Sequence, residues 1–343
     1  MTSSTDYDRI ASGIRRRPSD WTGSHLDYHE LVRLATLAAS SHNTQPWLFR
    51  IDNGSITILP DFSRRCPVVD PDDAHLFKSL GCAVENLVHA AGAQGHAVRV
   101  AYEDPANGIR IHLEPSRTSK GGELFHAIPT RQCTRTVYDG KPLTAETLKR
   151  LEEAGTGTGV RTVLLTARPQ LETVTEFVTR GNRTQLNDPA FRKELVSWIR
   201  FNPGEAIRTG DGLSGRTSGQ PALPRWLATL IIGAVLTPKG QSDADARNIR
   251  SSAAVAVLVT ERDDSAAWVE TGRAYERFAL QATALGIRNA FINQPNEVRP
   301  IRSQFESWLG LQGGHALLIV RIGRAALAPY SLRRPIEDVI VQD

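Results

Sequence analysis

The amino-acid sequence predicts an α+β protein built from two related halves. The chain has 343 residues, of which 40% are hydrophobic and 23% charged, and it contains 27 glycines and 19 prolines. These proportions are typical of globular proteins and exclude the collagen-like and intrinsically disordered classes. At roughly 150 residues per domain, the chain is long enough for about two units, each with a hydrophobic core.

A repeated helix pattern relates the two halves. The first copy, GCAVE followed by AGAQG, begins at Gly81, and the second, GRAYE followed by ATALG, begins at Gly272. Both fit GxAxE, five residues, AxAxG, and matched positions lie 191 residues apart. Small and apolar residues recur at helical spacing, and a glycine follows where a helix would end. The pattern indicates an internal duplication, although two unrelated alanine-rich helices could agree by chance.

Hydrophobic patterning predicts further helices and strands around the two copies. A helical run covers residues 31–39, and a helix over 144–154 leads to a strand over 160–166. Thr144 is a candidate N-cap for that helix, but the cap is weak because Thr147 stands where a capping box has Glu or Gln. Strand-like apolar segments follow the repeated helices at 97–102, 109–113 and 316–322.

The two halves are expected to differ in length, with the first over residues 1–115 and the second over 116–343. Within the second half, the composition shifts to Gly, Pro, Ser and Thr around the apolar run 226–236. A short apolar helix between flexible stretches is typical of a lid over a pocket, here at 202–247. An ordinary buried helix with long connections fits the pattern equally well.

The charge and cysteine content of the chain indicate its cell compartment and the classes of partner that it binds. The 41 Lys and Arg residues exceed the 37 Asp and Glu residues by four charges, too small an excess to indicate nucleic-acid binding. The three cysteines, Cys66, Cys82 and Cys133, form no CxxC pair and fit free thiols in a reducing compartment. The apolar run 226–236 is far shorter than the roughly 20 residues that span a bilayer. We therefore expect a cytoplasmic protein with no nucleic-acid or membrane partner.

The standard signatures for metal and dinucleotide binding are weak. His25 and His29 share a helical face, but the sequence offers no third ligand nearby, so no metal site is predicted. The glycines at 155–159 lead into a strand and not from a strand into a helix, so they lack the context of a dinucleotide fingerprint.

Two other patterns contain residues suited to bind an anion or a heterocycle. The segment SSHNTQ at 40–45 concentrates hydrogen-bond donors and acceptors ahead of a Pro-Trp pair. Such a turn is able to bind the polar edge of a flat heterocycle, or it merely satisfies its own backbone. Arg131 and Arg135, near a predicted helix start, are able to hold one phosphate with two guanidinium groups and the helix dipole. The RRP run at 333–335 adds positive charge, although each basic group alone is more often a solvated surface.

These segments resemble the motifs of the FMN-dependent nitroreductase superfamily. AASSHNTQPW at 38–47 resembles its A-P-S-x-x-N-x-Q-P-W motif, and RQCTR at 131–135 resembles its R-x-S-x-R phosphate clamp. ALG and FINQ within 284–294 are similar to the stretch whose backbone passes the flavin ring, and RRPIEDV at 333–339 resembles the closing R-R-P-L-E-E-V. The resemblance spans roughly residues 31–343 in order, with the fused, double-length layout of the Acg-type branch.

The resemblance implies a nitroreductase-like fold in which central, mainly antiparallel sheets are surrounded by helices. Classical members are homodimers with a flavin at each subunit interface, so the duplicated chain is expected to form a pseudo-dimer. The first half carries the N-x-Q-P-W motif and the second carries the clamp, so one composite site is complete and binds one FMN per chain. The implied cofactor-binding residues are Ser40, Ser41, Asn43, Gln45, Arg131, Cys133, Arg135, Ile292, Asn293, Gln294, Arg333 and Arg334.

Two positions depart from the family motifs. Ala39 replaces the proline of the first motif, which relaxes the turn before Ser40. Cys133 stands where the clamp has a hydroxyl. Because a thiol is a weaker hydrogen-bond donor, phosphate affinity is expected to fall unless the adjacent Thr134 compensates.

The resemblance implies a flavoprotein oxidoreductase that uses FMN to pass reducing equivalents from NAD(P)H to a nitro, quinone or other electron-poor small molecule. Because the flavin performs the chemistry, no residue is singled out as catalytic. Two alternatives stay open: a protein that binds or sequesters FMN with little turnover, and an FMN-dependent dehydrogenase of a biosynthetic intermediate. The chain is expected to be a monomeric pseudo-dimer or a weak homodimer.

Overall fold

The computed structural model describes residues 4–17, 26–102, 104–116 and 121–342. Its helices are α1 Ser4–Ile14, α2 Tyr28–Thr36, α3 Ala74–Ala93, α4 Glu123–Ala127, α5 Ala145–Ala154, α6 Arg168–Asn187, α7 Pro189–Trp198, α8 Pro203–Thr209, α9 Arg225–Val235, α10 Pro238–Arg250, α11 Ser265–Ala284, α12 Gln294–Glu297 and α13 Arg299–Trp308. Its strands are β1 Trp47–Asp52, β2 Ser55–Pro60, β3 His96–Ala101, β4 Ile109–Pro115, β5 Val160–Leu165, β6 Ile199–Arg200, β7 Leu213–Ser214, β8 Ala254–Thr260, β9 Arg288–Phe291, β10 His315–Gly323 and β11 Ile340–Val341.

Two main sheets, one in each half, form the centre of the molecule. The first has the strand order β11-β1-β2-β4-β3, and the second has the order β5-β8-β10-β9. Neighbouring strands in both sheets run antiparallel, except β1 and β11, which are parallel. The short strands β6 and β7 form a separate parallel pair. The predicted α+β class with mainly antiparallel sheets is confirmed.

The two halves repeat the same order of elements. From α2 to β4 the order is helix, strand, strand, long helix, strand, strand. The same order recurs from α5 to β10, apart from insertions. The strands take equivalent places, since the order β1-β2-β4-β3 matches β5-β8-β10-β9. The repeated helices α3 and α11 each have 20 residues, and both of their ends lie 191 positions apart. The predicted internal duplication is confirmed.

The main difference between the halves is an insertion in the second. A two-residue turn joins β1 to β2, whereas five helices, α6 to α10, separate β5 from β8. The predicted apolar helix of this insertion forms α9, in which Trp226 is 68% and Leu230 is 74% exposed. It is therefore not the buried helix that the sequence left as an alternative. A lid function for this segment stays a prediction.

Glycines bring the two long helices into contact. A Cβ added at Gly81 on α3 would collide with the carbonyl oxygen of Val269 on α11, and one added at Gly272 would collide with that of Lys78. Val269 and Lys78 are again 191 residues apart, so the contact has two-fold symmetry. The helices thus touch backbone to backbone at the start of each repeat, which only glycine permits at this distance.

The hydrophobic core continues across both halves. Buried side chains of α2, α3 and the first sheet form one cluster with those of α11 and the second sheet. Strand β8 is buried on both faces, with Leu258 in this cluster and Val257 in a second cluster that includes α6 and α13. The C-terminal segment returns from β10 to the first half, where β11 extends the first sheet along β1. A shared core and the end of the chain therefore hold the halves together.

Local predictions agree with the structure in most places. Helix α5 begins after Thr144, whose hydroxyl accepts a hydrogen bond from the Thr147 N–H at 3.2 Å. Helix α2 ends at Thr36, three residues before the end of the predicted run at 39, because the chain turns there. Among the described residues, no helix has both the length and the apolar character to cross a membrane.

Candidate functional site

The polar turn (residues 40–45) follows α2 and has an uncommon backbone. His42, Asn43 and Gln45 have φ angles of 48°, 55° and 54°, in the left-handed region. Asn and His adopt this conformation more often than most side chains, whereas Gln seldom does, and such a residue costs on the order of 1–3 kcal/mol. Strain of this kind persists only where the surroundings fix the chain, and it concentrates at functional sites.

Hydrogen bonds within the first half fix the start of the polar turn. The Ser40 hydroxyl accepts a hydrogen bond from the Gln45 N–H at 3.1 Å. The Ser41 N–H donates to the hydroxyl of Ser79 on α3 at 3.2 Å, and Ser41 Oγ lies 3.1 Å from His42 Nδ1. Both serines therefore stabilise the turn.

The two amides of the polar turn bind the second half. Gln45 is fully buried; its Nε2 donates to the Gly210 carbonyl at 2.8 Å, and its Oε1 accepts from the Arg334 N–H at 2.9 Å. Asn43 Nδ2 donates to the Gly212 carbonyl at 3.2 Å. These amides connect the first half to the chain after α8 and to the C-terminal segment.

Arg333 is buried and closes the C-terminal end of α2. Its Nε donates to the Thr36 carbonyl at 2.7 Å, and its Nη2 donates to the next two carbonyls, both at 3.1 Å. Its Nη1 donates to Asn43 Oδ1 at 3.0 Å and to the Leu332 carbonyl at 2.9 Å. A helix leaves its last carbonyl groups without hydrogen-bond partners, and the guanidinium group of Arg333 supplies donors at this end of α2. Because all five N–H donors are engaged, phosphate binding by Arg333, still a prediction, requires some of them to be released.

The arginine clamp (residues 131–135) begins with a buried ion pair. Arg131 Nη2 donates to the Leu37 carbonyl at 2.7 Å, and Arg131 Nε lies 3.0 Å from Oε1 of Glu276 on α11. Burial disfavours the guanidinium charge, but the Glu276 carboxylate, together with smaller effects of Tyr275, Cys133 and Cys82, raises the pKa of Arg131 overall. Helix α5 starts at Ala145, as predicted, ten residues after Arg135, so the expectation that the helix start and its dipole lie beside the clamp was wrong.

The remainder of the arginine clamp lies beside β9. Cys133 forms a β-bridge with Asn289, and its Sγ lies 3.9 Å from the Tyr275 hydroxyl. Arg135 is exposed, and its charge adds to the effect of burial in lowering the pKa of His42, which places it near the polar turn. The two arginines of the clamp consequently have different surroundings, one in the interior and one at the surface.

The predicted flavin-passing segment is fixed by β10 and by the insertion. The Ile292 N–H donates to the Ile319 carbonyl at 3.0 Å, and the Ile319 N–H donates to Asn293 Oδ1 at 2.9 Å. Gln294 begins α12, and its Nε2 donates to Asp245 Oδ2 at 3.2 Å. The main chain at 292–294 is therefore held on both sides.

His42 links the polar turn to the second half and was not among the predicted site residues. Burial lowers the pKa of His42 to about 4; Glu297 opposes this shift, while His75 and Arg135 add to it. His75 Nε2 lies 3.4 Å from Glu297 Oε1. The charges of residues on α3, on α12 and in the arginine clamp therefore all influence His42. Its position inside the motif was the signal that could have identified it.

Glu276 is a second residue of the site that the motifs did not identify. It is the glutamate of the second GxAxE copy, and it pairs with Arg131. Its counterpart Glu85 in the first copy pairs with Arg273 and Arg277, at 3.0 Å and 3.1 Å. The glutamate of each copy therefore pairs with arginine side chains of the second half.

Buried polar atoms without a hydrogen-bond partner concentrate at the arginine clamp. Among the described residues they include Thr134 Oγ1, both amide atoms of Gln132, Asn289 Nδ2, and Nε and Nη2 of Arg15. Leaving such an atom unpaired costs about 1–3 kcal/mol. Most of these atoms are hydrogen-bond donors, and the oxygen atoms of a phosphate group would accept hydrogen bonds from them. The residues present therefore fit the phosphate of FMN.

The part of the chain that the structure describes contains no cluster of three or more side chains able to hold a metal ion. His25, one of the two histidines considered in the sequence, lies outside the described residues.

Curated relatives match nearly the whole chain, although no family model matches it. The Mycobacterium tuberculosis protein named "Putative NAD(P)H nitroreductase Rv3131" is 27% identical over 338 residues, covering 92% of this chain and 93% of the relative. The protein of the same organism named "Putative NAD(P)H nitroreductase acg" is 22% identical over 321 residues, covering 90% of this chain and 93% of the relative.

Two solved structures align with part of the chain. The FMN-dependent nitroreductase NfnB from Mycobacterium smegmatis, in complex with NADPH, covers 64% of this chain and 98% of its own, with 13% identity and a TM-score of 0.43. The NADPH:FMN oxidoreductase from Vibrio harveyi, complexed with NAD+, covers 65% of this chain and 77% of its own, with 12% identity and a TM-score of 0.40.

Proposed function

We propose that this chain, whose resemblance to the nitroreductases and their Acg-type relatives is confirmed over nine tenths of its length, is an FMN-dependent oxidoreductase. It passes reducing equivalents from NAD(P)H to a nitro, quinone or other electron-poor small molecule. The observation that carries the proposal is the meeting of two distant motifs. Arg131 of the clamp and Arg333 of the C-terminal segment both donate to the carbonyl of Leu37, just before the polar turn.

The residues at the clamp are suited to hold the phosphate of FMN. FMN, when bound, supplies the transfer of reducing equivalents, so the task of the chain is to bind, orient and exclude water. The Thr134 hydroxyl and the Gln132 amide, both buried and unpaired, would donate to the phosphate. Thr134 thereby replaces the hydroxyl that Cys133 lacks.

The flavin ring system would be held by the main chain at 292–294 and by the polar turn. The backbone at 292–294 and the polar turn provide donors and acceptors from opposite halves. Buried Gln45 and the Arg131–Glu276 pair keep these groups in place and exclude water. Exposed Arg135 would be a cation available to the phosphate of FMN or to the phosphates of NAD(P)H.

The visible spectrum of the purified protein tests the proposal. We expect a yellow protein that retains FMN, loses its flavin absorbance when NADH or NADPH is added without oxygen, and regains it when a nitro or quinone compound follows. Reduction by dithionite is the control for a reducible flavin. A colourless protein that takes up no FMN would contradict the proposal.

The closed state of the site favours a second candidate, FMN sequestration with little turnover. Arg131, Arg333 and Gln45 are all buried, and the donors of Arg333 and Gln45 are bonded within the protein. A flavin in such surroundings is shielded from co-substrates. A holoprotein that dithionite bleaches, but that neither NADH nor NADPH bleaches, would support sequestration and exclude the oxidoreductase.

A further inference from the structure

Arg15 is a buried arginine outside the predicted motifs, and it lies against the arginine clamp. It is 6% exposed, and its Nη1 donates to the carbonyls of Pro129 and Arg131 at 3.0 Å and 2.9 Å. The guanidinium carbon lies 4.6 Å from the centroid of the Tyr330 ring. Nε and Nη2, the edge of the guanidinium that arginine uses for bidentate binding, have no hydrogen-bond partner among the described residues.

Three buried arginines are under the electrostatic influence of one carboxylate, that of Glu276, which is in contact with Arg131. Burial lowers the pKa of Arg15 to about 9, and Arg131 adds to this effect, so Arg15 is still a cation at neutral pH. Burial, Arg15 and Arg131 lower the pKa of Arg333 in the same way, and Glu276 is the carboxylate that acts on all three arginines. Three cations and one anion leave an excess of two positive charges in the interior. A phosphate monoester carries close to two negative charges at neutral pH and would balance them.

The duplication relates Arg15 to Arg131, but the two arginines bind different partners. Arg15 precedes the start of α2 by 13 residues, as Arg131 precedes the start of α5 by 14, so the two arginines are counterparts. By symmetry with Arg131, Arg15 would pair with Glu85 and bind the end of α5. Arg277 does so instead, with its Nη1 3.1 Å from Glu85 Oε2 and its Nε donating to the Ala154 carbonyl at 3.2 Å.

We propose that Arg15 is an additional ligand of the cofactor phosphate, which it binds through Nε and Nη2 together with the unpaired donors of the arginine clamp. The inference rests on the proposed FMN function. The first half has no arginine clamp of its own. In this arrangement it contributes Arg15, the counterpart of Arg131, to the one complete site. The phosphate fills the place where the interior holds excess positive charge and unpaired donors.

Arg15→Gln tests the proposal when FMN is compared with riboflavin, which has the same ring system and no phosphate. Full-length apoprotein is titrated with each flavin at constant ionic strength, and the two Kd values are read from flavin fluorescence. We expect FMN affinity to fall about tenfold or more and riboflavin affinity to stay the same, since a hydrogen bond to a charged group is lost. Arg16→Gln is the matched control, because the Arg16 side chain is 62% exposed and pairs with Glu30. It should keep the preference for FMN.

Equal losses for both flavins, or an unchanged preference for FMN, would overturn the role of Arg15. If Arg15→Gln does not fold, a measurement on the wild type still tests the anion site. Inorganic phosphate should raise the Tm of the wild-type apoprotein more than chloride does at equal ionic strength. Equal shifts would overturn the anion site. If the wild type shows no preference for FMN, the proposed function itself fails; if it does and Arg15→Gln retains the preference, only the role of Arg15 fails.

Discussion

His42 is strained in its backbone and desolvated in its side chain. Its φ is 48°, and Ser41 Oγ lies 3.1 Å from its Nδ1. Burial lowers the pKa of His42 to about 4 from its ordinary value of 6.5. A group that is neutral in the folded state and protonated in the unfolded chain makes stability depend on pH.

His42→Asn should remove part of this dependence. Between about pH 4 and 6.5 the unfolded chain binds a proton at His42 and the folded protein does not, so the wild-type free energy of unfolding rises with pH through this window and levels off above it. Asn tolerates a left-handed backbone and does not titrate, so the variant should have a smaller slope. Urea unfolding between pH 4.5 and 8 measures both slopes, and they should coincide above about pH 7. Equal slopes throughout would contradict the assignment.

The arginines show how a residue type predicts chemistry without fixing the partner. Arginine at 131 and 333 was expected to bind phosphate, and each donates to carbonyls at the end of α2. A guanidinium group matches a row of helix carbonyls as well as it matches a phosphate. Which partner it meets depends on where α2 ends relative to the C-terminal segment, and no local pattern specifies that.

At the level of elements, α3 and α11 form the contact on which the two halves depend. Sequence periodicity predicted both helices, and their bounds repeat with the same 191-residue offset. Strand β9 was missed as a strand because it has only four residues, too few for an alternating pattern to be read. Its counterpart β3 has six residues and was predicted.

Gly81→Ala should destabilise the protein by about 1–3 kcal/mol or more, because the added methyl group would collide with the Val269 carbonyl and push α11 away. The better helix propensity of Ala offsets only about 1 kcal/mol. Gly233→Ala is the control, since its Cβ would meet nothing within 4 Å on the exposed helix α9, and it should be neutral or stabilising. Midpoints of urea unfolding compare the two. A Gly81 variant as stable as the wild type would show that the helices separate at no cost.

For the whole molecule, the duplication has produced two halves that are closely dependent on each other. They share a hydrophobic core, and the chain returns from β10 to complete the first sheet with β11. Charged and polar residues of α3, such as Lys78, Glu85 and Asn86, are buried. Glu85 finds its partners Arg273 and Arg277 on α11.

Residues 1–115 expressed alone should therefore not fold cooperatively. Without α11 the fragment exposes the face of α3 that the second half covers, leaves Glu85 without its arginines and lacks β11. Far-UV circular dichroism during urea unfolding should change gradually for the fragment and in a cooperative transition for the full chain. A sigmoidal transition for the fragment would show that the proposed first half is an independent domain.

Periodicity, repeat and motif determined much about this protein from the sequence alone: the α+β class, the duplication, the nitroreductase resemblance and the segments that form the candidate site. These features are local in sequence or recur at a fixed interval, so they can be read without the fold. Only the tertiary structure decided that the donors of Arg333 are all engaged, that burial lowers the pKa of His42, and that Arg15 crosses to the clamp. Those contacts join residues far apart in sequence, and burial, charge balance and unpaired donors are defined only once the halves have packed.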